Sequence, residues 1–186
     1  MRLFIALELP DAAKEHLACV VEDLRGKLPR GAWVTAADMH ITLAFLGETD
    51  PDMIPVIVEA LEAATTRARP LELCIDRLGA FPNLTRASVL WAGVSEATDK
   101  TNKLSALART VRTLLAGAEP PVDFDPKPFK AHITLARFKQ RADCAIVERT
   151  SMQALSIKLD SLVLFETAWV HGGGHRYEQR AVFRLH

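Results

Sequence analysis

The chain has 186 residues, enough for one medium domain or for two small lobes sharing a core. Hydrophobic residues make up 49% and charged residues 25%, the balance of a folded globular protein, which excludes a disordered tail, a fibre or a chain built of membrane spans. Lysine plus arginine and aspartate plus glutamate number 23 each, so no global field draws the protein onto long nucleic acid or an anionic membrane, and an anionic partner has to be met by a local patch.

The apolar run Leu3-Phe4-Ile5-Ala6-Leu7 is stopped by Pro10 and lacks a small-residue cleavage site, so it reads as a buried first strand. Pro10 and Asp11 then open a helix whose apolar residues Leu17, Val20, Val21, Leu24 and Leu28 recur at helical spacing. A strand over residues 40–47 follows. A second helix is signalled by Asp50-Pro51-Asp52 and by Ile54, Ile57, Val58 and Leu61; Pro55 fits only if the helix starts late, with Asp52 near its cap. Strands over 71–78 and 87–94 precede a third helix, from about Asp99, with Leu104, Leu107, Val111, Leu114 and Leu115 on one stripe and Gly117 as its stop. The remaining elements are a strand over 132–138, a weaker helix over 142–154, and strands over 156–165 and 181–185.

Strands come singly and in groups among the helices, without strict β-α-β alternation, which implies an α+β fold with mainly antiparallel sheet. No Pro/Ser-rich linker divides the chain, so residues 1–186 read as a single two-lobed domain. Cys19, Cys74 and Cys144 are odd in number and in no metal-ligand spacing; they read as free thiols in a reducing cytoplasm.

One feature repeats. His40-Ile41-Thr42-Leu43-Ala44 and His132-Ile133-Thr134-Leu135-Ala136 are the same five residues, 92 positions apart, each preceded in its half by a strand and a helix. On a strand, His40 and Thr42 share one face while Ile41 and Leu43 share the other, and the second copy repeats this. Two similar lobes facing one another would bring two imidazoles and two hydroxyls to one cleft.

That set suits a phosphate ester. One imidazole can deprotonate a nucleophile while the other protonates the departing alkoxide, because a side chain with an ordinary pKa of about 6.5 can be neutral or charged near pH 7. A lone histidine on an apolar strand is more often a core residue, and duplication in matching contexts reverses those odds. His-x-Thr offers one good metal ligand per copy, so neither a metal nor a cofactor is expected. Lys127, Lys130, Arg137, Lys139 and Arg141 form a basic stretch without an acidic residue around the second motif. Asp38 either orients the His40 ring or is simply exposed. His16, His171, His175 and His186 weigh less, and Gly172-Gly173-Gly174 reads as a flexible turn.

With these residues in hand, the chain resembles the two-histidine phosphoesterase superfamily, and within it the RNA 2′,3′-cyclic phosphodiesterases, also called 2′-5′ RNA ligases or LigT-like proteins. The resemblance also covers Arg2 to Leu7, Phe45-Leu46-Gly47-Glu48, Val89-Leu90-Trp91-Ala92-Gly93, Leu135-Ala136-Arg137 and Ser161 to Glu166. It implies a bilobal, pseudo-twofold duplicated α+β fold, with two antiparallel sheets facing a central cleft and helices outside. The implied activity is hydrolysis of RNA or nucleotide 2′,3′-cyclic phosphate ends to 2′-phosphates, with a weak reverse ligation.

By the same resemblance His40 is the proton donor, His132 the acceptor that activates water, and Thr42 and Thr134 hold the phosphate. Arg137 matches a family arginine that helps bind phosphate, yet a regular strand would point it away from His132, so it reaches the site only past a bulge or the strand's end. The family usually has proline before the second motif, where this chain has Ala131. Phe129 and Lys130 are placed to hold a base and ribose; Trp33 has a similar position but reads as structural. The implied partners are RNA ends or nucleotides carrying a cyclic phosphate, met by a cytoplasmic monomer with no membrane association. A nucleotide-binding module without turnover, and a phosphodiesterase for 2′-5′ linkages or a small cyclic nucleotide, share the same motif residues.

Overall fold

The computed structural model describes residues 1–96, 102–150, 152–169 and 175–186. Strand β1 (Arg2–Glu8) buries five residues in succession, Leu3 to Leu7, because it has packed layers on both faces. Helix α1 (Asp11–Arg25) buries Ala13, Leu17, Val21 and Leu24 on one stripe and leads through the short β2 (Ala32–Trp33) to β3 (His40–Glu48). Helix α2 (Ile54–Thr65) is followed by the long strands β4 (Leu71–Phe81) and β5 (Ala87–Glu96). Helix α3 (Lys103–Ala116) buries Leu104, Leu107, Ala108, Val111 and Leu115, and β6 (His132–Ala142), β7 (Leu155–Leu159), β8 (Ser161–Trp169) and β9 (His175–Arg184) complete the order.

The strands form two sheets, ordered β3-β1-β8-β9 and β2-β6-β5-β4-β7, and the neighbours within each pair antiparallel. The two orders correspond: β3 matches β6, β1 matches β5, β8 matches β4 and β9 matches β7, with β2 added outside β6. In each half a helix intervenes between the histidine strand and its central neighbour, giving β1-α1-β3 and β5-α3-β6. The fold is therefore the duplicated α+β arrangement of two antiparallel sheets with three helices. Among the described residues no helix is long and apolar enough to cross a membrane, and all three thiols are free.

The expected strand over 156–165 is two strands in different sheets. β7 borders β4 and β8 borders β1, and the chain changes sheet at the exposed Asp160, whose carboxylate accepts from the Ser161 hydroxyl at 2.7 Å and from Arg184 at 3.0 Å. In place of a helix over 142–154 there is a 3₁₀ helix at Ala145–Arg149, begun by the Asp143 carboxylate accepting from the Ala145 N–H. As Pro55 requires, α2 starts late, with Met53 at its cap next to Asp52 and the proline in its first turn; the 3₁₀ turn at Pro51–Met53 before it is capped by Asp50, whose Oδ1 accepts the Asp52 N–H at 3.0 Å. The last strand starts at His175 rather than at 181. The expected start of the third helix at Asp99, the glycine run and His171 lie outside the described residues.

Candidate active site

His40 opens β3 and His132 opens β6, and the same backbone contact fixes both rings. His40 Nδ1 lies 2.7 Å from the Asp38 carbonyl oxygen and His132 Nδ1 lies 2.6 Å from that of Lys130. A carbonyl only accepts, so each Nδ1 carries the proton and each Nε2 keeps its lone pair while the ring is neutral. The Asp38 carboxylate itself accepts the Thr35 hydroxyl at 2.7 Å, so Asp38 orients the ring through its backbone rather than its side chain.

The rings rest on different supports. His40 is half-buried among Phe4 at 4.8 Å between ring centres, Tyr177 at 5.3 Å and Phe165 at 6.1 Å. His132 meets the edge of Phe81 at 5.0 Å, and Phe81 leans on Trp91 at 5.3 Å. Phe165 and Phe81 correspond in the two halves, since the first pairs with Phe4 beside Phe45 and the second with Val89 beside Arg137.

A bulge in each histidine strand decides what else faces the cleft. In β6, Leu90 pairs with Ala136 and Trp91 with Thr134, leaving Leu135 as the extra residue; in β3, Ile5 pairs with Ala44 and Ala6 with Thr42, leaving Leu43. The burial pattern slips accordingly, with two buried residues in succession after each threonine. Parity is shifted by one, so Arg137 returns to the face of Thr134 and Phe45 to that of Thr42. Each bulge carbonyl finds a donor: Arg112 Nε gives a hydrogen bond to Leu43 O at 3.0 Å, and the Val34 N–H gives one to Leu135 O at 2.9 Å.

The result is a cavity of about 630 Å³ whose walls include Thr42, Thr134, His132, Arg137, Phe129 and Lys130. His40 is set back from this wall among its aromatic neighbours. Lys130 Nζ stands 5.3 Å from the centre of the Phe81 ring, and Phe129 is half-buried against the core. Trp33 lies on β2 beneath the Arg25 guanidinium at 5.9 Å and forms no part of the cavity wall.

Charge in the cleft favours an anion. Burial holds the His40 imidazole down at about 4; the hydrogen bond to the Asp38 carbonyl and the Asp38 carboxylate oppose this, while Arg137 and His132 push it lower still. His132 is also lowered, first by burial, with the Lys130 carbonyl opposing and Arg137 adding to the fall. Arg137 thus acts on both rings, adding to burial in favouring the neutral imidazoles. Among the described residues no group of three or more His, Cys, Asp or Glu side chains is placed to hold a metal ion.

This duplicated geometry has counterparts. The model of the 2′-5′ RNA ligase superfamily matches residues 9–168. The chain belongs to that superfamily. A protein of Archaeoglobus fulgidus named RNA 2′,3′-cyclic phosphodiesterase is 34% identical over 141 residues, 76% of this chain and 74% of that protein. One of the same name from Geobacillus stearothermophilus is 35% identical over 134 residues, 72% of this chain but 41% of the longer relative, so the chain spans less than half of that protein. Among solved structures, one from Thermus thermophilus superposes with a TM-score of 0.79 at 25% identity, covering 100% of this chain and 98% of that one. Escherichia coli LigT complexed with 3′-AMP superposes with a TM-score of 0.72 at 25% identity, covering 99% and 97%.

Within the superfamily's fold, the structure adds residues that sequence patterns do not reveal. Arg112 on α3 lines the cavity, and besides Leu43 O it donates to the Lys127 carbonyl at 2.7 Å, tying the first bulge to the basic loop of the second half. Its position four residues after Ala108 and three before Leu115, on the margin of the buried stripe, was the available signal. Phe4 and Tyr177 had none, because their proximity to His40 arises from strand pairing across distant sequence.

Proposed function

We propose that the protein hydrolyses 2′,3′-cyclic phosphate at RNA or nucleotide ends to a 2′-phosphate, with His40 as proton donor and His132 as proton acceptor and with no metal ion required. What carries this reading is the pair of imidazoles in the same backbone setting with one arginine acting on both. The names of the relatives support the substrate class.

In the step we envisage, His132 Nε2 takes a proton from water as its oxygen bonds to phosphorus. The phosphorus bond to the ribose 3′-oxygen breaks, and protonated His40 delivers its proton to that oxygen. Atoms and charge balance, and the proton returns from His132 to His40 before the next cycle. Each transfer contributes roughly a hundred- to ten-thousand-fold in rate. Thr42, Thr134 and Arg137 bind the non-bridging oxygens, where charge-assisted donors stabilise the transition state, while Phe129 and Lys130 hold the nucleoside.

The donor role we give His40 is supported by the Asp38 carboxylate, which favours its charged form against the larger opposing effect of burial, whereas at His132 only the Lys130 carbonyl opposes burial. A bound phosphate adds to that effect at His40, and the imidazolium so formed is a strong acid because burial still opposes its charge. The test is incubation with a 2′,3′-cyclic mononucleotide and product analysis by phosphorus NMR. Formation of the 2′-phosphate is expected, and recovery of intact substrate overturns the reading in favour of a binding module.

A further inference from the structure

A second cavity, of about 660 Å³, adjoins the first and shares with it Phe45, Asp125, Lys127 and Arg137. Its outer wall comes from β1 and the β8–β9 hairpin, where Trp169 pairs with His175 and Thr167 with Tyr177. We infer that this cavity binds the unpaired ribonucleotide that precedes the terminal one, so that the protein grips a single-stranded RNA end across two successive subsites; this rests on the hydrolase reading above.

Aromatic exposure is the first argument. Trp169 is 71% exposed and Phe45 is 45% exposed, two of the four large hydrophobic side chains left open to water among the described residues, and both face this cavity. Isolated exposed hydrophobics are ordinary, but two on one concave wall mark a binding surface. The Trp169 and His175 rings stand 6.1 Å apart edge to face, and His175 lies 5.1 Å from Tyr177, so the hairpin presents a row of ring faces and edges.

Charge is the second. Among the described residues Arg2 and Arg137 pair with no carboxylate. The acid in the wall, Asp125, is occupied by Lys127, with Oδ2 2.8 Å from Nζ and Oδ1 accepting the Lys127 N–H at 3.0 Å. Arg2, across the strand from Glu48 but in no ion pair with it, therefore offers a cation to the part of the cavity beyond the shared wall, and Arg137 offers one to the part shared with the first. A phosphodiester bridging two nucleotides meets such a path, and open rings beside it accept bases that are not stacked in a duplex.

The experiment compares two product-like probes on the whole protein: a ribonucleoside 2′-monophosphate and a single-stranded tetraribonucleotide ending in the same 2′-phosphate, titrated by calorimetry. The tetranucleotide is expected to bind about tenfold more tightly or better. Trp169→Ala and Arg2→Ala each reduce that advantage without changing the affinity for the mononucleotide, and Trp169→Phe retains it. Equal affinity of the two probes for the unaltered protein, or an advantage that survives the Trp169→Ala/Arg2→Ala double variant, overturns the inference. Because these titrations involve no turnover, a length preference without hydrolysis leaves the subsite standing and removes the hydrolase reading, whereas hydrolysis of cyclic mononucleotide without a length preference does the reverse.

Discussion

Phe45 and Arg137 hold the same position in the two halves, each two residues beyond the bulged leucine of its histidine strand and each turned by that bulge into the cleft. The duplication thus delivers one aromatic ring and one cation to corresponding points. Loss of the cation is expected to weaken handling of phosphate: Arg137→Ala lowers kcat/KM on a cyclic mononucleotide by about 10- to 100-fold, the range for losing a charged hydrogen bond. Arg137→Lys recovers part of the loss, since a point charge replaces a two-pronged donor. Steady-state kinetics on the three proteins check this.

The imidazoles are expected to titrate out of the ordinary order. In the free protein His40 titrates near 4 and His132 below its usual 6.5, because burial disfavours both charges. Inorganic phosphate in the cavity raises both, because a nearby anion favours either cation. Nitrogen–proton correlation spectra of the rings, recorded across pH with and without phosphate, measure this; a free-protein His40 titrating at 6.5 contradicts it.

Stability should carry the same signature. Unfolded His40 regains its ordinary value near 6.5 while the folded ring stays neutral down to about 4, so protons bind preferentially to the unfolded chain between those values. The contribution is fully present above about 6.5, declines as pH falls through the window and levels off below about 4, a loss of up to about 3 kcal/mol from this group. Urea unfolding at pH 7 and pH 4.5 should show a smaller difference in His40→Gln than in the unaltered protein.

Gly79 is expected to tolerate no side chain. A Cβ there would stand 2.3 Å from the Trp91 ring, which supports Phe81 and through it the edge contact with His132. Gly79→Ala should cost about 1–3 kcal/mol by overpacking, and adding Trp91→Leu should return part of it. Urea denaturation midpoints of the single and double variants provide the check.

Much of this site could be read from particular residues. The repeated pentapeptide held Thr42, His132 and Thr134, which line the cavity, and His40, which sits behind its wall, and the parity of Arg137 required the bulge that β6 contains. The break at Asp160 was hidden because Ile157, Leu159 and Ser161 keep alternating through it, and periodicity records which face is buried without recording against which sheet. The start of β9 was hidden because His175 to Arg180 form a sheet edge with little burial and hence no apolar alternation. Arg112 was legible only as a cation on the margin of the buried stripe of α3; its partners are backbone carbonyls 69 and 15 residues away, and these the local pattern does not record.

The most direct test is single-turnover hydrolysis of a 2′,3′-cyclic mononucleotide by the unaltered protein, His40→Ala, His132→Ala and the double variant, all in excess EDTA. The unaltered protein should retain its activity, each single variant should lose about a thousandfold or more, and the double variant should be little worse than either, because the two proton transfers act as a unit. Undiminished turnover in both single variants would contradict the two-histidine chemistry outright.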